Sequence, residues 1–214
     1  RRGPPRAGGA GVTTHDFEHR YLLGRSGLTL LLLHGTGGDE DSLLPLGRAL
    51  APEAGLLAPR GRVLEGRMPR FFRRLAEGVF DLEDLHRRTT ELAGFIRAAA
   101  REYGFAPERL TAVGFSNGAN IAASLLLADP AVLPAAVLLR AMVPFEPAAV
   151  PQLEGHRIWI GAGRADPIVP PEHGERLAAL FRRGGADVTL DWRDAGHNLV
   201  PEEIAAAAQW LGPA

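Results

Sequence analysis

Short apolar runs separated by longer amphipathic helical patterns constrain this chain more than any other feature of its sequence. Residues 28–33 form an unbroken apolar stretch around Thr29, bounded by Gly27 and the His34-Gly35 pair, and comparable runs recur at 55–58, 110–115, 135–143, 157–160 and 188–192. The run at 28–33 has the look of a buried central strand. Upstream, Phe17, His19 and Tyr21 alternate with Glu18 and Arg20, the period-two pattern of a half-exposed strand. After Asp81, the residues Leu82, Leu85, Leu92, Phe95, Ile96, Ala99 and Tyr103 make one helical stripe that stops at Gly104. Further helical patterns occupy 117–128, 171–183 and 201–211, the last with proline at its first position. Strands alternating with helices predict an α/β fold: a mostly parallel central sheet with helices on both faces. In such sheets functional sites gather outside the carboxyl ends of the strands.

At 214 residues and 46% hydrophobic, the chain is long enough for one real core. The expected organisation is a flexible tail over residues 1–14, rich in Gly, Pro and Arg at its start, followed by a single domain over 15–214. The run at 28–33 is too short to cross a bilayer, so no membrane span and a cytoplasmic location are expected. A net charge of -1 supplies no global field favouring nucleic acid or an anionic membrane. The chain contains no cysteine and no lysine. That removes disulfides, thiolate nucleophiles, Schiff-base chemistry and the P-loop lysine, leaving Ser, Thr, Asp, Glu, His or Tyr for covalent catalysis.

Gly114-Phe-Ser116-Asn-Gly118 lies between a strand pattern and a helix pattern. A serine at a sharp strand-to-helix turn presents its hydroxyl beside the helix N-terminus, and flanking glycines let the chain fold back. A serine that merely caps the helix is the plainer alternative. His34-Gly-Thr36-Gly-Gly follows the buried run at 28–33; without a lysine it is not a phosphate loop. Such a loop can instead leave a main-chain amide free for a developing alkoxide, and the expected oxyanion donors are the amides of Thr36 and Asn117.

Behind a serine of this kind the acid and then the histidine follow in chain order. Asp166 sits in the Gly/Pro-rich loop after the run at 157–160, and His197 in a loop between the last strand and last helix patterns. Ser116, Asp166 and His197 are thus the candidate triad, with Asp187, Asp191, Asp194, His156 and His173 as competitors. His15-x-x-Glu18-His19 matches one zinc-peptidase spacing, but the segment alternates like a strand and offers no third ligand, so no metal is expected. Nor does this chemistry require a cofactor.

Taken together, the stretches His34-Gly-Thr-Gly-Gly-Asp-Glu40, Pro59-Arg-Gly61, Gly114-Phe-Ser-Asn-Gly-Ala-Asn120, Gly163-Arg-Ala-Asp-Pro-Ile-Val-Pro170 and Gly196-His-Asn-Leu199 resemble, in order, the phospholipase/carboxylesterase family of α/β-hydrolases. Among its members the chain is similar to the small bacterial esterases that include hydroquinone-specific hydrolases. The resemblance runs from about residue 17 to 211 and implies an α/β-hydrolase fold and ester hydrolysis by Ser116, Asp166 and His197; the little spare length after the run at 135–143 leads to the expectation of no large lid. Many members carry Gln where this chain has Asn117. Lysophospholipase and acyl-thioesterase branches share the triad, and some proteins of this fold are slow-turnover ligand receptors.

The expected partner is a small-molecule ester, short-chain or aryl, and a homodimer is compatible with these features. Its binding wall is expected from Phe71 and Phe72 within 59–80, with Met142 beside them and Arg60 or Arg70 available to an anionic group. A solvated loop with ordinary core anchors is the alternative for that segment.

Overall fold

The computed structural model describes residues 12–212, so most of the expected tail, residues 1–11, lies outside the described residues. The expected boundary at residue 14 is corrected. Thr14 is buried in a 3-10 turn with His15 and Asp16 and bonds the Glu102 carboxylate, while Val12 packs against the core.

From the N-terminal side the elements are β1 (His19–Leu22), β2 (Thr29–Leu33), α1 (Leu44–Leu50), β3 (Gly55–Pro59), β4 (Val63–Glu65), β5 (Met68–Arg70), β6 (Arg74–Ala76) and β7 (Val79–Phe80). The chain continues through α2 (Leu82–Tyr103), β8 (Leu110–Phe115), α3 (Asn117–Ala128), β9 (Ala135–Leu139), β10 (Arg157–Gly163), α4 (Pro171–Arg183), β11 (Asp187–Arg193) and α5 (Pro201–Leu211). One seven-stranded sheet has the order β1-β3-β2-β8-β9-β10-β11. Its strands are parallel except for β1, which pairs antiparallel with β3.

Alternation along the strands divides the core into two layers. Leu31 and Leu33 of β2, Ala112 of β8 and Ile158 and Ile160 of β10 face the layer of α2, α3 and α4. Leu30, Leu32, Val113, Val137 and Trp159 face α1 and α5. With both faces covered, β2 is buried along its whole length, which is why it reads as an unbroken apolar run.

Helix ends follow local chemistry. The Asp81 carboxylate accepts from the Asp84 N–H at 3.0 Å to cap α2, which ends where Gly104 takes φ 70°. The apolar run at 135–143 is only partly strand: β9 stops at Leu139, because Arg140 turns the chain with φ 58° and its N–H donates to the Gly161 carbonyl at 2.9 Å. Residues 140–156 then contain neither helix nor strand. The segment between β3 and α2 is two small hairpins, β4-β5 and β6-β7. Among the described residues no helix is long and apolar enough to cross a membrane.

Candidate active site

β8 delivers Ser116 to the carboxyl edge of the sheet. Ser116 has φ 52° and ψ -114°, a backbone conformation costing on the order of 1–3 kcal/mol that the surroundings must impose. Its N–H donates to Leu139 at 2.8 Å and its carbonyl accepts from Asn120 at 2.9 Å, pinning the turn between β9 and α3. Contact explains both neighbouring glycines. A Cβ on Gly118 would lie 1.9 Å from the Leu33 carbonyl oxygen, and one on Gly114 would lie 2.6 Å from Ala119 Cα. The Ser116 side chain makes no capping bond to α3.

The hydroxyl is met by His197, on the loop between β11 and α5. Its Nε2 lies 3.0 Å from Ser116 Oγ, and its Nδ1 lies 2.8 Å from Asp166 Oδ2. Asp166 follows β10, its side chain 1% exposed, and its other oxygen accepts from the amides of Ile168 at 2.8 Å and Val169 at 3.0 Å. The loop amides orient the carboxylate, which in turn places a proton on Nδ1 and leaves the Nε2 lone pair toward the serine.

Four of the five competitors have partners elsewhere, and the fifth, Asp187, is exposed at the start of β11, the end of the strand away from His197. His156 Nε2 meets the Pro130 carbonyl at 3.0 Å, and His173 Nδ1 accepts from the Val143 N–H at 3.2 Å. Asp194 is exposed beside Arg164, whereas Asp191 pairs with Arg193. His19 is bound between the Phe17 carbonyl and the Tyr103 hydroxyl. Among the described residues no cluster of three potential metal ligands forms.

Thr36 and Asn117 border the same cleft as Ser116, and among the described residues neither main-chain N–H has a hydrogen-bond partner. The Asn117 amide also stands at the N-terminus of α3, where the helix dipole favours negative charge. The loop that carries Thr36 is tied down by the chain after β3. His34 Nδ1 donates to Gly35 at 2.7 Å and its Nε2 accepts from the Gly61 N–H at 2.9 Å, the pattern of a neutral ring. Burial pushes the His34 pKa below its ordinary value, in keeping with those bonds. The Gly37 N–H donates to Pro69 at 2.9 Å, and the Phe71 N–H donates to Asn117 Oδ1 at 2.7 Å.

The cleft is lined by the apolar residues Phe80, Met142, Ile168 and Val169 and by the polar residues Thr36, Arg70, Arg74 and Glu77. Met142 lines the cleft. Phe71 and Phe72 do not; both are buried, Phe71 against the His34 ring and Phe72 edge-on to Phe80, which carries the aromatic surface to the cleft instead. The expectation that they wall the pocket is therefore corrected: hairpin β4-β5 and the turn after it direct both rings into the core. Arg60 is likewise drawn away, to Glu40 and Glu18, leaving Arg70 on the cleft wall.

Two site-supporting residues escaped the sequence reading. Arg140 is fully buried; its Nε donates to Gly196 at 2.9 Å and its Nη2 to Asn198 at 2.7 Å, the carbonyls on either side of His197. The same guanidinium forks onto Glu203 of α5, with Nη2 at 2.8 Å from Oε2, and lies 3.9 Å from Asp166 Oδ2. The available signal was one arginine ending an apolar run and one glutamate on a helix rich in alanine.

No family model matches the chain. It is 49% identical over 194 residues to the Bacillus subtilis (strain 168) protein named "Putative hydrolase MhqD", covering 91% of this chain and 97% of that one. The crystal structure of a Bacillus cereus carboxylesterase matches with a TM-score of 0.89 and 46% identity, over 91% of this chain and 93% of that one. A carboxylesterase from Mesorhizobium loti matches with a TM-score of 0.87 and 36% identity, over 92% and 95%.

Proposed function

The chain belongs to the phospholipase/carboxylesterase family of α/β-hydrolases, and from that premise we propose that it is a serine esterase acting on small carboxylic esters through an acyl-enzyme. The observation that carries the reading is the continuous relay from Asp166 Oδ2 through His197 to Ser116 Oγ, with bonds of 2.8 and 3.0 Å. His197 removes the Ser116 proton as the oxygen attacks the ester carbonyl, and Asp166 stabilises the imidazolium that forms. The oxyanion accepts from the amides of Thr36 and Asn117. His197 then protonates the leaving alcohol. Water enters, gives its proton to the same ring, and releases the acid.

The cleft supports a small substrate. Phe80, Met142, Ile168 and Val169 supply its apolar surface, enough for a short acyl or compact aryl group. An acetyl, butyryl or compact aryl ester fills the space beside Phe80 and Met142, whereas a long lipid or thioester acyl chain leaves most of its carbons in water.

The test is a panel of p-nitrophenyl esters from acetate to palmitate, with an aryl ester alongside, on the wild type and Ser116→Ala. The reading expects turnover highest at two to four acyl carbons or with the aryl ester and abolished in the variant. Wild-type rates no better than those of Ser116→Ala across the panel would overturn it in favour of a ligand receptor. A maximum at palmitate would overturn the substrate class.

A further inference from the structure

The main-chain amide of Thr36 has its place in the mechanism above, but its hydroxyl does not. Arg70 Nη1 donates to Thr36 Oγ1 at 2.7 Å. A guanidinium has no acceptor atom, so in that bond the hydroxyl uses a lone pair and keeps its proton. Among the described residues nothing accepts that proton, and Thr36 lies on the cleft wall with Ser116 and Asn117.

Arg70 is held firmly enough to give that hydroxyl a direction. Its side chain is 4% exposed, its Nε donates to the Phe72 carbonyl at 3.2 Å, and its Nη1 stands 3.3 Å from the Glu65 carboxylate. Glu65 is itself committed to Arg74, at 2.6 and 2.9 Å, so its charge is divided between two cations. Burial, and then the nearby Arg74 charge, push the Arg70 pKa below its ordinary value, which marks a cation short of compensation. A cation bonded to a hydroxyl oxygen draws electron density from the O–H and makes it a stronger donor, most so where water is scarce. The chain around Arg70 serves the same end: Pro69 accepts from Gly37, and Phe71 donates to Asn117. Three successive residues thus brace both sides of the oxyanion site.

We propose that the Thr36 hydroxyl is a third hydrogen-bond donor to the oxyanion, acting with the amides of Thr36 and Asn117, and that Arg70 is the positioning residue that orients and polarises it. The inference rests on the serine-esterase reading. The serine alkoxide adds to the carbonyl carbon, the carbonyl π electrons move to oxygen, and the Thr36 proton is shared with that oxygen without being transferred. The hydroxyl therefore binds the tetrahedral species more tightly than the planar ester, and its effect belongs in kcat.

Thr36→Val removes the hydroxyl at nearly constant shape, and Thr36→Ser restores it. On p-nitrophenyl acetate, Thr36→Val is expected to lower kcat by about 100-fold, the usual scale for one oxyanion donor, with KM little changed. Binding of an aryl trifluoromethyl ketone, which forms a tetrahedral oxyanion on the serine, weakens by the same factor. Thr36→Ser recovers most of both losses. Arg70→Met lowers kcat less than Thr36→Val does, and in the Thr36→Val background it costs nothing further, because it acts through the missing hydroxyl.

Thr36→Val turning over within twofold of an active wild type would overturn the proposal, as would Thr36→Ser falling as far as Thr36→Val. A full, additive Arg70→Met loss in the Thr36→Val background would overturn the positioning role. Should the valine variant melt early, Thr36→Ala carries the same comparison, since Thr36 is partly exposed. A wild type no faster than Ser116→Ala marks failure of the esterase reading itself, a different result from any of these.

Discussion

Removing the Arg140–Glu203 pair one partner at a time and then together separates what it does for the fold from what it does for the site. Glu203→Leu leaves the guanidinium buried without its carboxylate, and Arg140→Met leaves the carboxylate without its cation. Both side chains are at 0% exposure, so each single change is expected to cost about 3–5 kcal/mol. A chain of this size has a urea slope of about 2–3 kcal/mol/M, so the unfolding midpoint falls by roughly 1–2 M.

In Arg140→Met/Glu203→Leu neither member of the pair is left without the other, and apolar side chains of similar size fill the space, so most of that loss is expected to return. Activity should not return with it. The double variant still lacks the bonds from Arg140 to Gly196 and Asn198, which tether the chain on both sides of His197. Each charge-assisted bond is worth about 1.5–3 kcal/mol. Misplacement of the imidazole by about 1 Å costs on the order of 100-fold in kcat/KM. The assays are urea denaturation followed by intrinsic fluorescence and p-nitrophenyl acetate kinetics on the same samples. Single variants losing under about 1 kcal/mol, or a double variant that regains activity in step with stability, would refute this reasoning.

Other consequences are as direct. Asp166→Asn is expected to keep the fold but lower kcat about 10,000-fold, because an amide facing Nδ1 favours the wrong imidazole tautomer; a loss under about tenfold in a stopped assay would contradict the relay. Asn117→Ala leaves the main-chain donor in place but strands the buried Phe71 N–H, so it should cost about 1–3 kcal/mol in urea while activity survives at pH 7. Burial lowers the pKa of both His34 and His173. The unfolded chain therefore binds protons first as pH falls below about 6.5, and stability declines there until the folded-state values are reached. Denaturation midpoints measured from pH 8 to 5 should show that decline, shallower in His173→Asn; a flat profile would contradict it.

How much of this was legible in the sequence depended on whether one local signal sufficed. The long strands and α2 through α5 announce themselves by apolar continuity, helical periodicity, Pro171, Pro201 and Gly104. By contrast α1 was missed, because Pro45 and Gly47 break the pattern of a seven-residue helix. There Gly47 is needed for contact: a Cβ would press on Leu32 and Leu56 at 3.0 Å. The run at 135–143 stayed apolar beyond the end of β9, since residues 141–143 are buried without being strand.

At the site, each member of the candidate triad follows a strand end marked by glycine or proline, so its place at the sheet edge could be argued locally. The pocket wall could not. Phe71, Phe72 and Phe80 are chemically alike in the sequence, and only the two hairpins decide which ring reaches the cleft. The Arg140–Glu203 and Phe71–Asn117 contacts join residues 63 and 46 positions apart, and nothing local to either end predicts the other.

The central claim is that Ser116 is an activated nucleophile, and covalent labelling tests it most directly. A fluorophosphonate incubated with the folded protein at pH 7.5, followed by intact-mass and peptide analysis, is expected to leave one adduct, located on Ser116. It should be absent in Ser116→Ala and formed far more slowly in His197→Ala. An adduct at another residue, or an unlabelled wild type that still hydrolyses p-nitrophenyl acetate as fast as its Ser116→Ala variant, would contradict the account.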